Sequence, residues 1–321
     1  MPTGRRFYMR PIFSEPGQLI IRPTPPLWRL FFVWRGSVLR RTWRGILAMA
    51  GFATLVVVAH RLFPEQVPTV EGAPFTLIGI ALSIFLAFRN NASYERWWEG
   101  RKLWGQLIHL CRTFARQTLL LSGDEKSRPY LLRLIMAFVH ALVPLLRGTD
   151  DHAAAGKFLS VEDTQRVERG NWHPSIVLRL VSEELVRQRV ERGLSDIDFQ
   201  TLDGTIDQME AALAGCERIR NTPLPFAYTL LLHRTAYLFC ILLPFGYADV
   251  LGWWTPFVVG LIAYTFFGLD ALGEELEDPF GREPNDLPIA AMATTIELNL
   301  RASLGETDLP PAPQPKDFLL L

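Results

Sequence analysis

Apolar residues fall along this chain in two different rhythms. Four stretches are nearly continuous in apolar character, Gly45 to Phe63, Pro74 to Phe88, Phe226 to Val250 and Thr255 to Leu269, and each is long enough to be read as a membrane-crossing helix. Between Glu99 and Thr222 the rhythm changes. Phe199, Leu202, Ile206, Met209, Leu213 and Cys216 recur every three or four residues, as they do on a helix with one apolar face and one wet face. The pattern predicts an all-α membrane protein: four transmembrane helices with a helical aqueous region inserted between the second and third. Tyr130 to Leu146 fits either class. Arg133, His140 and Pro144 interrupt it, and an odd number of spans would upset the loop charges, so it reads as a buried helix of the aqueous region.

The second apolar stretch is the most informative. Ile80, Ile84 and Phe88 recur at i, i+4 and i+8 and share one helix face, while Gly79, Ala81, Ser83 and Ala87 leave small surfaces for close helix approach. The helix then runs without a break into the polar FRNNASYERWW segment. Such a stripe suits a pore lining, although apolar residues at this spacing more often pack a core or touch lipid.

Charge sets the orientation. The 321 residues carry equal numbers of basic and acidic side chains, 33 of each, but Arg5, Arg6, Arg10, Arg22, Arg29, Arg35, Arg40, Arg41 and Arg44 precede the first span and only Glu15 opposes them. This is the basic flank of a cytoplasmic end and not a nucleic-acid surface. The loops PEQVPTVEGA and YADVLGWW contain no Lys or Arg, which places them outside and both termini in the cytoplasm, with Trp253 and Trp254 in the outer aromatic belt. No secretory signal is apparent. Within the third span, Arg234 argues for an aqueous boundary or a bundle interior, and His233 for a hydrogen-bonded packing residue. Cys111, Cys216 and Cys240 form no CxxC pair and read as buried small hydrophobes.

Candidate chemistry is confined to GEELEDPFGREPNDLP, Gly273 to Pro288, where carboxylates crowd a Pro-Phe-Gly turn. Hard cations need such oxygen ligands, but the EF-hand pattern is missing, and a solvated acidic loop paired with arginines is the simpler reading. No nucleophile, histidine relay or phosphate cradle is present, so no catalytic residue is assigned. The residues leave three readings open: a channel, a membrane-bound hydrolase using the acidic cluster, and a non-conducting membrane scaffold.

Four segments in order, RLFFVWRGSVL, IFLAFRNNASYERWWEGRKLWGQL, AGCERIRNTPLPFAYTLLLHRTAYLF and EELEDPFGREPNDLP, resemble bestrophins, specifically the bacterial homologues, over about Ile20 to Thr307. The resemblance implies a homopentameric channel, not an enzyme, that passively conducts small monovalent ions through one central pore. It places Ile80, Ile84 and Phe88 at the pore neck and Ile197 at a lower constriction, the aperture. Members are chloride or anion channels, yet Asp196 and Asp198 flank the aperture here, and acidic residues beside a constriction favour cations. Animal members bind calcium at the acidic segment, and the matching side chains are Glu275, Asp278, Glu283 and Asp286; Arg282 and Pro284 interrupt that run of acids, so no cofactor is required, calcium is optional, and Arg salt bridges are the alternative way of holding the segment. The expected organisation is a cytosolic segment 1–43, spans and neck 44–98, a cytosolic region with the aperture 99–222, spans 223–272, the clasp and a helix 273–305, and a Pro-rich tail 306–321. Expected partners are permeant ions, membrane lipid and further copies of the chain.

Overall fold

The computed structural model describes residues 36–68, 70–121 and 126–314. The arginines up to Arg35 and the end of the Pro-rich tail lie outside them. The described residues form α-helices joined by turns and two short 3-10 turns, with no strand among them: α1 Leu39–Leu62, α2 Gly72–Gln117, α3 Ser127–Arg147, α4 Ala153–Gly156, α5 Val161–Arg169, α6 Pro174–Arg192, α7 Asp196–Asn221, α8 Phe226–Leu251, α9 Thr255–Glu277 and α10 Ile289–Ser303.

Two cores share one long helix. In the span bundle, Phe75, Leu82 and Leu86 of α2 pack against Ala53 of α1, Phe239 and Leu243 of α8, and Val259, Ala263 and Phe266 of α9. Lower down, Trp104, Leu107 and Phe114 of the same helix join Leu134 and Phe138 of α3, Leu178 and Val181 of α6, Leu202 and Leu213 of α7, and Ile296 of α10. The 46-residue α2 therefore ties the two bundles into one rigid lever. Gly246 of α8 makes this packing close, since a Cβ there would lie 2.6 Å from the Phe75 ring.

Among the described residues, four stretches are long and apolar enough to cross a membrane: Leu39–Leu62, Gly72–Leu120, Ser127–Arg147 and Phe226–Glu277. The last is a helical hairpin, α8 and α9, turned at Gly252–Trp254, so the four spans are α1, the upper part of α2, α8 and α9. The third stretch, α3, is enclosed by other helices: 67% of its most apolar window is buried within the protein, against 17–28% for the rest. A helix this apolar that its neighbours enclose belongs to a core, and Leu131 to Leu146 of α3 contribute most of their side chains to that of the lower bundle.

Element boundaries differ from the sequence reading at one place that matters. The fourth span was expected to stop at Leu269 and the acidic segment to be a turning loop from Gly273. Instead α9 continues to Glu277, so Glu274, Glu275 and Glu277 stand on its last turns. Charged residues extend a helix readily once they leave the apolar layer; loss of hydropathy marks a boundary of medium, not of backbone.

Candidate functional site: the apolar stripe of α2 and its supports

The two faces of α2 are clearly distinguished. Phe75, Leu82, Leu86, Arg89, Ser93 and Gly100 are buried, whereas Leu77, Ile80, Ile84, Phe88, Asn91 and Glu95 are exposed on the opposite side. Ile80 is 55%, Ile84 49% and Phe88 61% exposed, although all three belong to the apolar stretch of a span. The chain's own helices leave this stripe uncovered. A cavity of about 590 Å³ runs beside it between α2, α8 and α9, lined by Ile80, Ser83, Ile84, Phe239, Tyr247 and Ile262.

Two arginines fix the rotation of α2. Arg89, one residue past Phe88, is fully buried and donates from Nη1 to Asp270 on α9, while Glu277 lies 3.8 Å from its Nη2. His233 of α8 completes the group with a 2.8 Å hydrogen bond from Nδ1 to the other Asp270 oxygen. Arg96, two turns further along, donates to the backbone carbonyls of Glu277 at 3.0 Å and Ile219 at 2.5 Å, and to that of Thr222. Because these carbonyls belong to the junction of α7 with α8 and to the end of α9, Arg96 knits the two bundles together at their waist. Sequence alone points to His233 as a packing residue and does not pair Arg89 with Asp270. A signal for the pair is present: an arginine directly after one span and an aspartate at the corresponding end of another.

Ile197 stands far from this group in the chain, in the first turn of α7, and is 76% exposed. Its neighbours are engaged. Asp196 accepts from Arg189 Nε at 2.9 Å, and Asp198 is tied to the N-cap Ser195, its amide donating to Ser195 Oγ at 3.1 Å while that hydroxyl donates to Oδ2 at 2.7 Å.

The acidic segment is held by protein donors. Phe280 is buried in the lower core against α2, Trp97 Nε1 donates to the Asn285 carbonyl at 2.9 Å, and Leu287 N donates to the Pro279 carbonyl at 2.8 Å. Glu275 accepts from Asn285 Nδ2, and Asp286 Oδ2 accepts from the Glu283 amide, both at 2.6 Å. Burial pushes the Asp286 carboxyl from an ordinary 3.8 up to about 7, and the charges of Asp278, Glu283 and Glu275 add to that, while the Glu283 amide opposes it. One oxygen, Asp286 Oδ1, is buried without a partner. Even so, no three acidic, His or Cys side chains among the described residues are arranged to hold a metal ion, so the side chains of this segment do not by themselves fit calcium.

Comparison with known proteins accords with this geometry. The model of the family described as "Bacterial/Fungal Bestrophin protein" matches residues 19–302. Proteins named "Voltage-dependent anion channel-forming protein" are 43% identical in Mesorhizobium japonicum, over 92% of this chain and 95% of that protein, and likewise 43% identical in Escherichia coli K12 (YneE), over 91% and 96%. The crystal structure of a bacterial bestrophin homologue from Klebsiella pneumoniae superposes with a TM-score of 0.78 at 40% identity, covering 81% of this chain and 97% of the other.

Proposed function

Because the chain belongs to the bestrophin family, a family of ion channels and not of enzymes, we propose that it assembles as a homopentamer in the bacterial inner membrane and passively conducts small monovalent ions along its symmetry axis. One observation supports this reading above others: a half-exposed stripe of Ile80, Ile84 and Phe88 on a helix whose opposite face is locked by a buried ion pair. A lone protomer gains nothing from a rigidly aimed apolar stripe, whereas a ring of them makes a neck. An apolar ring offers an ion no oxygen atoms in place of its hydration shell, so the neck blocks when narrow and conducts when widened and wetted.

Ile197 forms the second constriction, with Asp196 and Asp198 biasing selectivity there. Glu275, Asp278, Glu283 and Asp286 act as a clasp that stabilises assembly, and its metal occupancy is optional. The relatives' names speak of anions. Ion sign in this chain is set by the charges that line its own path.

Replacing Ile84 by Ala tests the neck. A barrier lowered by about 1.4 kcal/mol raises the current about tenfold, and Ile84→Ala in planar bilayers is expected to act in that direction, with Ile80→Ala and Phe88→Ala alike. An unchanged current in the triple variant, with assembly intact by size-exclusion light scattering, would reject this stripe as the barrier. Loss of the oligomer instead would mean that the stripe is an interface.

A further inference from the structure

The exposed face of α2 does not end at Phe88. At 100° per residue, Asn91 and Glu95 follow Ile84 on the same side of the helix, and Glu95 stands at i+7 from Phe88, about 10 Å further along the axis. Its side chain is exposed, while Arg89, Ser93 and Gly100 on the opposite side are buried. The Arg89 and Arg96 anchors lie on that buried side, so the face carrying Glu95 cannot turn inward without breaking both.

Glu95 also differs from the other carboxylates near the path. Glu99 is paired with Arg218, Asp196 with Arg189, and Asp198 is spent on the helix cap. No hydrogen bond or ion pair among the described residues reaches Glu95. The next charge in register is Lys102, again at i+7, and it is exposed too. Read from the neck downward, the stripe is therefore apolar, then amide at Asn91, then acidic at Glu95, then basic at Lys102.

We propose that Glu95 determines the ion sign of the neck, one carboxylate per subunit forming a cation-favouring ring directly beneath Phe88. This rests on the channel reading above, which places the stripe on the symmetry axis. A ring of like charges beside a low-dielectric constriction focuses its field and raises the local concentration of counter-ions, and the Glu95 ring lies about 10 Å nearer the constriction than Lys102, so its field dominates there. Asp196 and Asp198 are weaker candidates because their charges are already compensated or capped.

The test is the reversal potential of the purified, reconstituted channel under a KCl gradient. Glu95→Gln is expected to move it toward the chloride equilibrium potential and Glu95→Lys to move it further, with Glu95→Asp retaining the parent value. The shifts should be larger at 0.02 M than at 0.5 M salt, because screening shortens the reach of an exposed charge. If charge variants disturb assembly, Glu95→Cys modified after assembly keeps the question open to measurement: a cationic and an anionic methanethiosulfonate reagent should shift the potential in opposite directions. Background labelling is low, since Cys111, Cys216 and Cys240 are buried.

Ile84→Cys serves as the control for the underlying reading. If a thiol reagent blocks Ile84→Cys but neither the charge variants nor modified Glu95→Cys move the reversal potential at low salt, Glu95 faces a neighbouring subunit and the inference is overturned while the neck stands. If Ile84→Cys reacts without any change in current, the neck itself is misplaced.

Discussion

Asp286 shows how one side chain can carry a condition on the whole clasp. Its carboxyl is held near 7 by burial and by the acids around it, with Arg147 as a cation close by. Folding therefore favours its protonated form. The stabilisation is fully present below the ordinary value near 3.8 and is lost as pH rises through about 7. Thermal unfolding of the detergent-solubilised protein should accordingly occur at a lower temperature at pH 8 than at pH 5.5, and Asp286→Asn should flatten that difference; a slope unchanged in the variant would assign it to other groups. Arg89 presents a different case, a fully buried side chain paired with the nearly buried Asp270. Arg89→Met strands Asp270 and is expected to cost about 3–5 kcal/mol, whereas the double change with Asp270→Leu should recover much of it, since a buried pair replaced by apolar groups is close to neutral. Equal losses in the single and double variants, by chemical unfolding, would contradict the account. Sequence hints at the Arg89–Asp270 pair by placing an arginine and an aspartate at matching span ends, but partners 181 residues apart are assigned to each other only by helix packing, and the raised Asp286 value follows from burial that the acidic run does not disclose.

At the scale of helices, the apolar rhythm carried most of the information. The stripe of Ile80, Ile84 and Phe88, the amphipathic face of α7 from Leu202 to Cys216 and the enclosed character of α3 were all legible, since each follows from periodicity within one segment. The end of α9 was not legible, because Glu274, Glu275 and Glu277 lose hydropathy without losing helix. Nor was it legible which face of α2 would be covered: Leu82 and Leu86 are as apolar as Ile80 and Ile84, and only the Arg89 and Arg96 anchors decide which set turns inward. Close packing of α2 on α8 sharpens the point. Gly246→Ala would place a methyl 2.6 Å from the Phe75 ring, and an aromatic ring wedged between helices cannot yield as a flexible side chain does. Overpacking of this kind costs about 1–3 kcal/mol. The variant should lower the unfolding midpoint, and trimming the obstacle with Phe75→Leu should restore part of it; a silent Gly246→Ala would mean that the two helices separate at no cost.

For the whole molecule, the polar ends of the spans decide how it sits in a bilayer. Arg40, Arg41 and Arg44 open α1, and Arg41 is paired with Glu274 at the far end of α9, so one end of the bundle gathers the bases together with the acidic segment. The other end holds Glu65, Glu71 and Asp249, with His60 bonded to Asp249 at 2.5 Å. Arg61 is the one arginine in the last turn of α1 and lies over the Trp253 ring, 5.0 Å from its centre, which suits a cation drawn toward an interfacial aromatic belt. The contrast survives that exception, since three arginines at one end face a single arginine and three acids at the other. By the rule that bases stay inside, the α1–α2 and α8–α9 turns are expected outside and the lower bundle in the cytoplasm. Single cysteines at exposed Glu71 and Val250 should then react with a membrane-impermeant thiol reagent added to intact cells, and one at exposed Arg192 should react only after the membrane is opened. Val250 is preferred to Gly252, whose φ of +51° would strain any other residue. Labelling of all three positions from outside would invert neither bundle but would refute the four-span arrangement, since Arg192 and Glu71 would then share one side of the membrane.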